Sequence, residues 1–180
     1  MLVSIIQLIV NTLATILGGV LLLRFWMQAM RVRPPASVGQ VIFTLTDWLV
    51  KPLRRVLPGV GGYDWASLVG ALLVIALATT IYFLVGFTAE MFAVMTLYRF
   101  LTWMLWGLTI LLLFEAVLSW VNPHAPAAPF VRDMNAPLLR PLRKLIPAVG
   151  GLDWSMLVAL ILIQITMLLL RGIFPEYTWR

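Results

Sequence analysis

The sequence predicts an all-α integral membrane protein: four transmembrane helices in two parallel-oriented two-helix repeats, each with an amphipathic interfacial helix in its cytoplasmic loop. Three observations lead there. Of 180 residues, 62% are hydrophobic and only 11% charged, more apolar surface than a soluble domain of this length can hide. The few charges separate four long apolar stretches. And residues 51–69, KPLRRVLPGVGGYDWASLV, return at 140–158 as RPLRKLIPAVGGLDWSMLV.

The first span is expected at about 2–27, apolar except for Arg24. It lacks a basic leader and is longer than the core of a cleaved signal, so it reads as a spanning helix. An interfacial helix follows at about 39–57. At 100° per residue, Ile42, Leu45, Leu49, Val50, Leu53, Val56 and Leu57 share one arc, and Asp47, Lys51, Arg54 and Arg55 the opposite one. Pro52 predicts a kink or restart in it. Pro58 ends it, Gly61-Gly62 permit the positive φ of a sharp turn, and Asp64 stands as the N-cap of a second span, about 65–88. Trp65 sits at aromatic-belt depth.

The first repeat is thus expected to cover 1–95 and the second 96–180. The second repeat supplies a span at about 100–120, interrupted by Glu115, an interfacial helix at about 129–146, and a span at about 154–171. Pro141 predicts another kink. Pro147, Gly150, Gly151, Asp153 and Trp154 repeat the corner, the cap and the belt residue. The offset is 89 throughout, with identity or a conservative swap at about 14 of 19 positions, and an even number of spans per unit gives both units the same orientation.

Charge placement orients the chain. The two loops between paired spans carry Arg31, Arg33, Lys51, Arg54, Arg55 and Arg132, Arg140, Arg143, Lys144; Arg99 alone marks the middle connection, and Arg171 and Arg180 the tail. Nine basic residues against three put both long loops in the cytoplasm and both termini in the periplasm. The surplus of 13 Lys and Arg over 7 Asp and Glu points to anionic lipid headgroups rather than nucleic acid. Lys51, Arg54, Arg55, Arg140, Arg143 and Lys144 are the candidate lipid- and partner-binding residues. They are read first as charges that set topology, and second as a footprint for lipid or an acidic partner.

Catalytic chemistry finds little to stand on. There is no cysteine, and the single histidine, His124, lies in a Pro-flanked loop, so no metal site, cofactor site or triad is expected. Phosphate-loop, dinucleotide and nucleophile-elbow motifs are missing as well. Arg24 and Glu115 lie at comparable depths in the first and third spans. A charge there must pair or snorkel, which leaves an interhelical ion pair, snorkelling of Arg24, or a proton or ion relay.

LLLRFWMQ at 21–28, KPLRRVLPGVGGYDWASL at 51–68, LSWVNP at 118–123 and APLLRPLRKLIPAVGGLDWS at 136–155 together resemble the bacterial YggT family, YlmG-like in Gram-positive bacteria and plastids. The resemblance implies a bacterial inner-membrane protein of duplicated two-helix units. It also implies links to osmotic-stress tolerance and potassium uptake, with plastid relatives in cytochrome b6 haem maturation and Gram-positive ones near cell-division genes. It brings no catalytic residues. Two functions are therefore expected. One is a non-enzymatic membrane scaffold or assembly and stress-tolerance factor that engages anionic lipid and protein partners, itself included. The other is an oligomeric ion channel or an ion-transport accessory in osmotic or potassium homeostasis.

Overall fold

The apolar stretch ahead of Arg31 folds as one helix, α1 (Leu2–Ala29). It stops in a 6→1, 5→2 hydrogen-bond pattern: Val32 N–H bonds the Met27 carbonyl at 2.9 Å and Arg31 N–H bonds that of Gln28 at 3.0 Å. Arg31 takes the left-handed position that ends such a helix, at φ 56°, and Pro34-Pro35 bar any continuation. The computed structural model describes residues 1–85, 88–146 and 153–174. Five more helices follow: α2 (Ala36–Val56), α3 (Trp65–Thr79), α4 (Ala89–Val121), α5 (Ala128–Leu145) and α6 (Trp154–Ile173), with a 3₁₀ helix, Thr80–Val85, continuing α3. The described residues form no strand beyond one isolated bridge, Val60 to Tyr63.

Four of these segments, Val3–Ala29, Trp65–Tyr82, Ala89–Val121 and Trp154–Ile173, are long and apolar enough to cross a bilayer, which marks the chain as a membrane protein. Their outward residues are themselves apolar, Leu8, Leu77, Leu168 and Ile110 among them, each more than 60% exposed. In water that would be untenable; in lipid it is the natural solvent match.

The third of them differs from expectation. Arg99 reads as a charge of the middle connection, yet α4 begins ten residues earlier at Ala89, where the Thr88 side chain accepts from Met91 N–H at 3.3 Å. Glu90 then stands on the positive end of the helix, where a carboxylate is favoured. Residue 95, the expected end of the first repeat, lies inside α4. At 1.5 Å per residue, 33 residues extend about 50 Å, well beyond a hydrocarbon core of about 30 Å. Pro52 and Pro141 also depart from expectation, because α2 and α5 run through them unbroken. Both prolines, and Trp48 and Pro137 whose carbonyls lose their donors, are exposed.

Three buried clusters hold the bundle. Leu21, Val50, Ala66 and Ala71 join α1, α2 and α3; Leu112, Leu139, Ala159, Ile163 and Met167 join α4, α5 and α6. Met27, Ile42, Phe130, Val131 and Met134 tie α1 and α2 to α5, reinforced by Trp26 Nε1 donating to the Met134 carbonyl at 3.1 Å. Gly70 of α3 faces Leu21 of α1 and Leu49 and Leu53 of α2, and a Cβ there would sit in ordinary contact with them at 3.4–3.6 Å. Contacts between α1 and α4 step in one direction, Asn11 to Arg99, Gly18 to Trp103, and Met27's cluster to Leu118. The two helices therefore run parallel, and their C-terminal ends share one end of the bundle.

Candidate functional site

Charge gathers at that shared end, in two clusters. The first is built on Asp64, the N-cap of α3, only 2% exposed. Arg54, ten residues earlier on α2, forks onto it, Nη2 to Oδ2 at 2.6 Å and Nε to Oδ1 at 3.2 Å. Ser67 Oγ donates to Oδ2 at 2.6 Å, and Ser67 N–H closes the cap at 3.4 Å. From α1 comes Arg24, 5% exposed. Its Nε lies 3.6 Å from Asp64 Oδ2, and its Nη1 donates to Asp47 Oδ1 at 2.7 Å and Thr46 Oγ1 at 2.6 Å. Lys51 joins Asp47 at 2.9 Å, one helical turn on, and the Phe43 ring lies 5.0 Å under the Arg24 guanidinium.

The second cluster inverts the charges. Arg143 of α5 sits between two carboxylates, Asp153 Oδ2 at 2.8 Å and Glu115 Oε1 at 3.3 Å. Asp153 caps α6 through Ser155 N–H at 3.1 Å. Glu115 Oε2 accepts from Asn135 Nδ2 at 2.8 Å, and the same amide reaches the Leu111 carbonyl at 2.9 Å. Asn135 stands 89 residues beyond Thr46, as Arg143 does beyond Arg54 and Asp153 beyond Asp64. One cluster holds a carboxylate between two guanidiniums; the other holds a guanidinium between two carboxylates.

The expected pairing of Arg24 with Glu115 does not form. Each charge meets partners of its own half instead: Arg24 the α2 residues Asp47 and Thr46 and the α3 cap Asp64, Glu115 the α5 residues Asn135 and Arg143. Arg99 is a second correction. It is not a loop charge but 9% exposed inside α4, with Nη2 donating to Asn11 Oδ1 at 2.7 Å and Nη1 to Thr79 Oγ1 at 3.4 Å, and the Tyr82 and Trp103 rings 5.8 and 5.6 Å away. Among the described residues no carboxylate pairs with it.

Around the first corner Gly61 and Gly62 take φ 69° and 84°, the two positive values a tight I′-type reversal needs. Tyr63 N–H bonds the Val60 carbonyl at 3.3 Å, Trp65 Nε1 donates to the same oxygen at 3.1 Å, and Tyr63 stacks on Phe25 at 6.5 Å. Pro58 follows the end of α2, exposed. Trp65 and Trp154 are 42% and 44% exposed. Pro147, Gly150 and Gly151 lie outside the described residues.

The six basic candidates separate into two kinds. Arg54 and Arg143 are spent on internal carboxylates and Lys51 on Asp47. Arg55, Arg140 and Lys144 are exposed and form no ion pair among the described residues. Sequence alone missed Asp47, Thr46 and Asn135. The signal was present in Thr46 and Asn135, polar residues in register 89 apart on otherwise apolar faces.

Burial pushes the Asp64 carboxyl up, but the hydrogen bonds from Arg54 and Ser67 outweigh it and hold it below the usual carboxylate range. Asp153 behaves alike, burial opposed by Arg143. Asp47 is held low by Lys51 and then Arg24. A carboxyl lowered in the folded state stabilises fully above its unfolded value of about 3.9, and that contribution disappears as pH falls through the lower folded value. Thermal unfolding of the purified protein in detergent should therefore show a melting temperature that falls below about pH 4. An Asp64→Asn variant should show a shallower fall; equal slopes would remove Asp64 from that account.

A helical membrane protein with four helices apolar enough to span a bilayer and paired charge clusters at its helix starts is the class this architecture defines. The chain belongs to the CCB3/YggT family, whose profile matches residues 3–86 and 94–174. An uncharacterized Pseudomonas aeruginosa protein is 35% identical over 168 residues, 87% of this chain and 83% of the relative. The protein in the proC 3′ region of Vibrio alginolyticus is 31% identical over 174 residues, 92% of each. The Escherichia coli K12 protein YggT is 31% identical over 165 residues, 87% of this chain and 84% of that one. No solved structure matches the chain.

Proposed function

We propose that this chain is a non-enzymatic, multi-pass scaffold of the bacterial inner membrane, serving assembly or stress tolerance. Two units run parallel across the bilayer, about residues 1–85 and 89–174, with both termini periplasmic. The helices α2 and α5 lie in the cytoplasmic interface and offer basic faces to anionic lipid, to membrane-protein partners and to further copies of the chain. The observation that carries this reading is the set Arg55, Arg140 and Lys144, exposed in the C-terminal halves of α2 and α5 and free of carboxylate partners among the described residues. Unpaired basic residues at the end of an apolar span attract an anionic leaflet by about 1 kcal/mol each. The parallel course of α1 and α4 supports placing both faces on one side, and moving Arg99 into α4 sharpens the asymmetry of loop charge.

The test leaves the folded clusters intact. An Arg55→Gln, Lys144→Gln variant in a deletion strain should insert normally yet fail to restore growth after osmotic upshift, and should lose cross-links formed in native membranes. Full complementation by that variant would refute the scaffold reading. A second reading, an oligomeric ion channel or transport accessory, is favoured by Arg99 inside α4 and by the Thr96 hydroxyl, buried with no hydrogen-bond partner among the described residues, as polar steps within a span. Liposomes holding the purified protein should then pass potassium or protons; none passing under an imposed gradient would dismiss it.

A further inference from the structure

Where α1 ends, the connection to α2 and the outer face of α5 border an open cavity of ≈ 650 Å³. Arg31 and Arg33 line one wall, Arg140 and Asp133 the other. Three guanidiniums against one carboxylate leave a net positive site, and among the described residues none of the three forms an ion pair. Three arginines lining one cavity, with no counter-anion on them among the described residues, give it a net positive charge that favours an anion.

Arg31 gives an independent sign. Its φ of 56° is the only positive value among the described non-glycine residues, at a helix-ending position that glycine fills at least cost. An arginine held there in a strained conformation suggests that its side chain is needed. Arg31 lines the cavity while its Nη2 lies above Gly62 of the first corner, within 3.8 Å of where a Cβ would stand.

Height and a second cavity identify the anion's source. The apolar span Val3–Ala29 ends one residue before the cavity begins at Met30, which is headgroup level. One helical turn below, Gly19, Leu23 and Trp26 of α1 face Trp103, Gly107 and Leu111 of α4 across an almost wholly apolar groove of ≈ 370 Å³. A Cβ added at Gly19 or Gly107 would meet nothing within 4 Å. A cationic cavity a turn above an apolar groove has the two-part chemistry of an amphiphile.

We propose that Arg31, Arg33 and Arg140 hold the phosphate of an anionic phospholipid of the same leaflet, with one acyl chain laid in the groove between α1 and α4. This deepens the lipid reading above and rests on it for the leaflet. It assigns binding to a defined site rather than to a diffuse basic surface.

Native mass spectrometry of delipidated protein, titrated with phosphatidylglycerol and with phosphatidylcholine of identical chains, tests it. The Arg31→Gln, Arg33→Gln, Arg140→Gln variant should weaken the first bound phosphatidylglycerol by about tenfold or more. The charge-matched Arg55→Gln, Arg132→Gln, Lys144→Gln variant, which thins only the surrounding basic surface, should weaken it far less, and Gly107→Leu should weaken both lipids alike. Arg31→Gly relieves the backbone strain, so it should keep or raise the melting temperature while still losing lipid affinity. An equal loss in the charge-matched variant would overturn the proposal. So would displacement of the lipid by millimolar inorganic phosphate, which would make the site one for free phosphate. Because the scaffold reading is tested through Arg55 and Lys144, either can fail while the other stands.

Discussion

Replacing Asp64 by Ala should destabilise the bundle by about 3 kcal/mol, read by denaturation of the purified protein with SDS. About 2 kcal/mol comes from stranding Arg24 and Arg54, a buried-pair loss discounted because the Arg54 side chain is 45% exposed and Arg24 keeps Asp47. About 1 kcal/mol comes from the lost cap on α3. Asp64→Asn preserves an N-cap and removes only the charge, so it should cost about 2 kcal/mol. Asp153→Ala, at the matching start of α6, should cost only about 1 kcal/mol, since its side chain is 34% exposed. Equal costs for Asp64→Ala and Asp153→Ala would show that burial does not set the difference.

Replacing Glu115 by Ala should cost about 3 kcal/mol, through a cavity in α4 and the loss of an acceptor for Asn135. Asn135 is 1% exposed and its Oδ1 already lacks a partner, so it would keep only the bond to Leu111. Arg143 would retain Asp153, and from that follows a coupling. Either carboxylate alone satisfies the guanidinium, whereas the Glu115→Ala, Asp153→Ala double variant strands it. The double variant should therefore lose about 1 kcal/mol more than the sum of the single losses; a strictly additive result would mean that Arg143 does not couple the two.

Much of this was legible in the primary structure for a physical reason. Span-forming sequence is punctuated by charge, and Asp64 and Asp153 announce helix starts because a carboxylate suits the positive end of a helix. The same punctuation misled at Arg99. A charge inside a span looks like a boundary until Asn11, Thr79 and Trp103, from three different helices, are brought around it. Arg24 and Glu115 looked like partners because their depths match. Depth says nothing of azimuth, and it is α2, delivering Asp47 and Arg54, and α5, delivering Asn135 and Arg143, that settle where each charge turns. Pro52 and Pro141 promised kinks, yet both lie on exposed faces of helices that run through them.

The central claim is that α2 and α5, with their unpaired basic residues, face the cytoplasm together. The chain contains no cysteine, so single cysteines can be placed without background. Val56→Cys and Leu145→Cys, at sites each 78% exposed, should resist a membrane-impermeant maleimide in intact cells and react fully in inverted vesicles. Thr88→Cys, on the far side of the bundle, should do the reverse. Labelling of Val56→Cys and Leu145→Cys from opposite sides of the membrane would contradict the account.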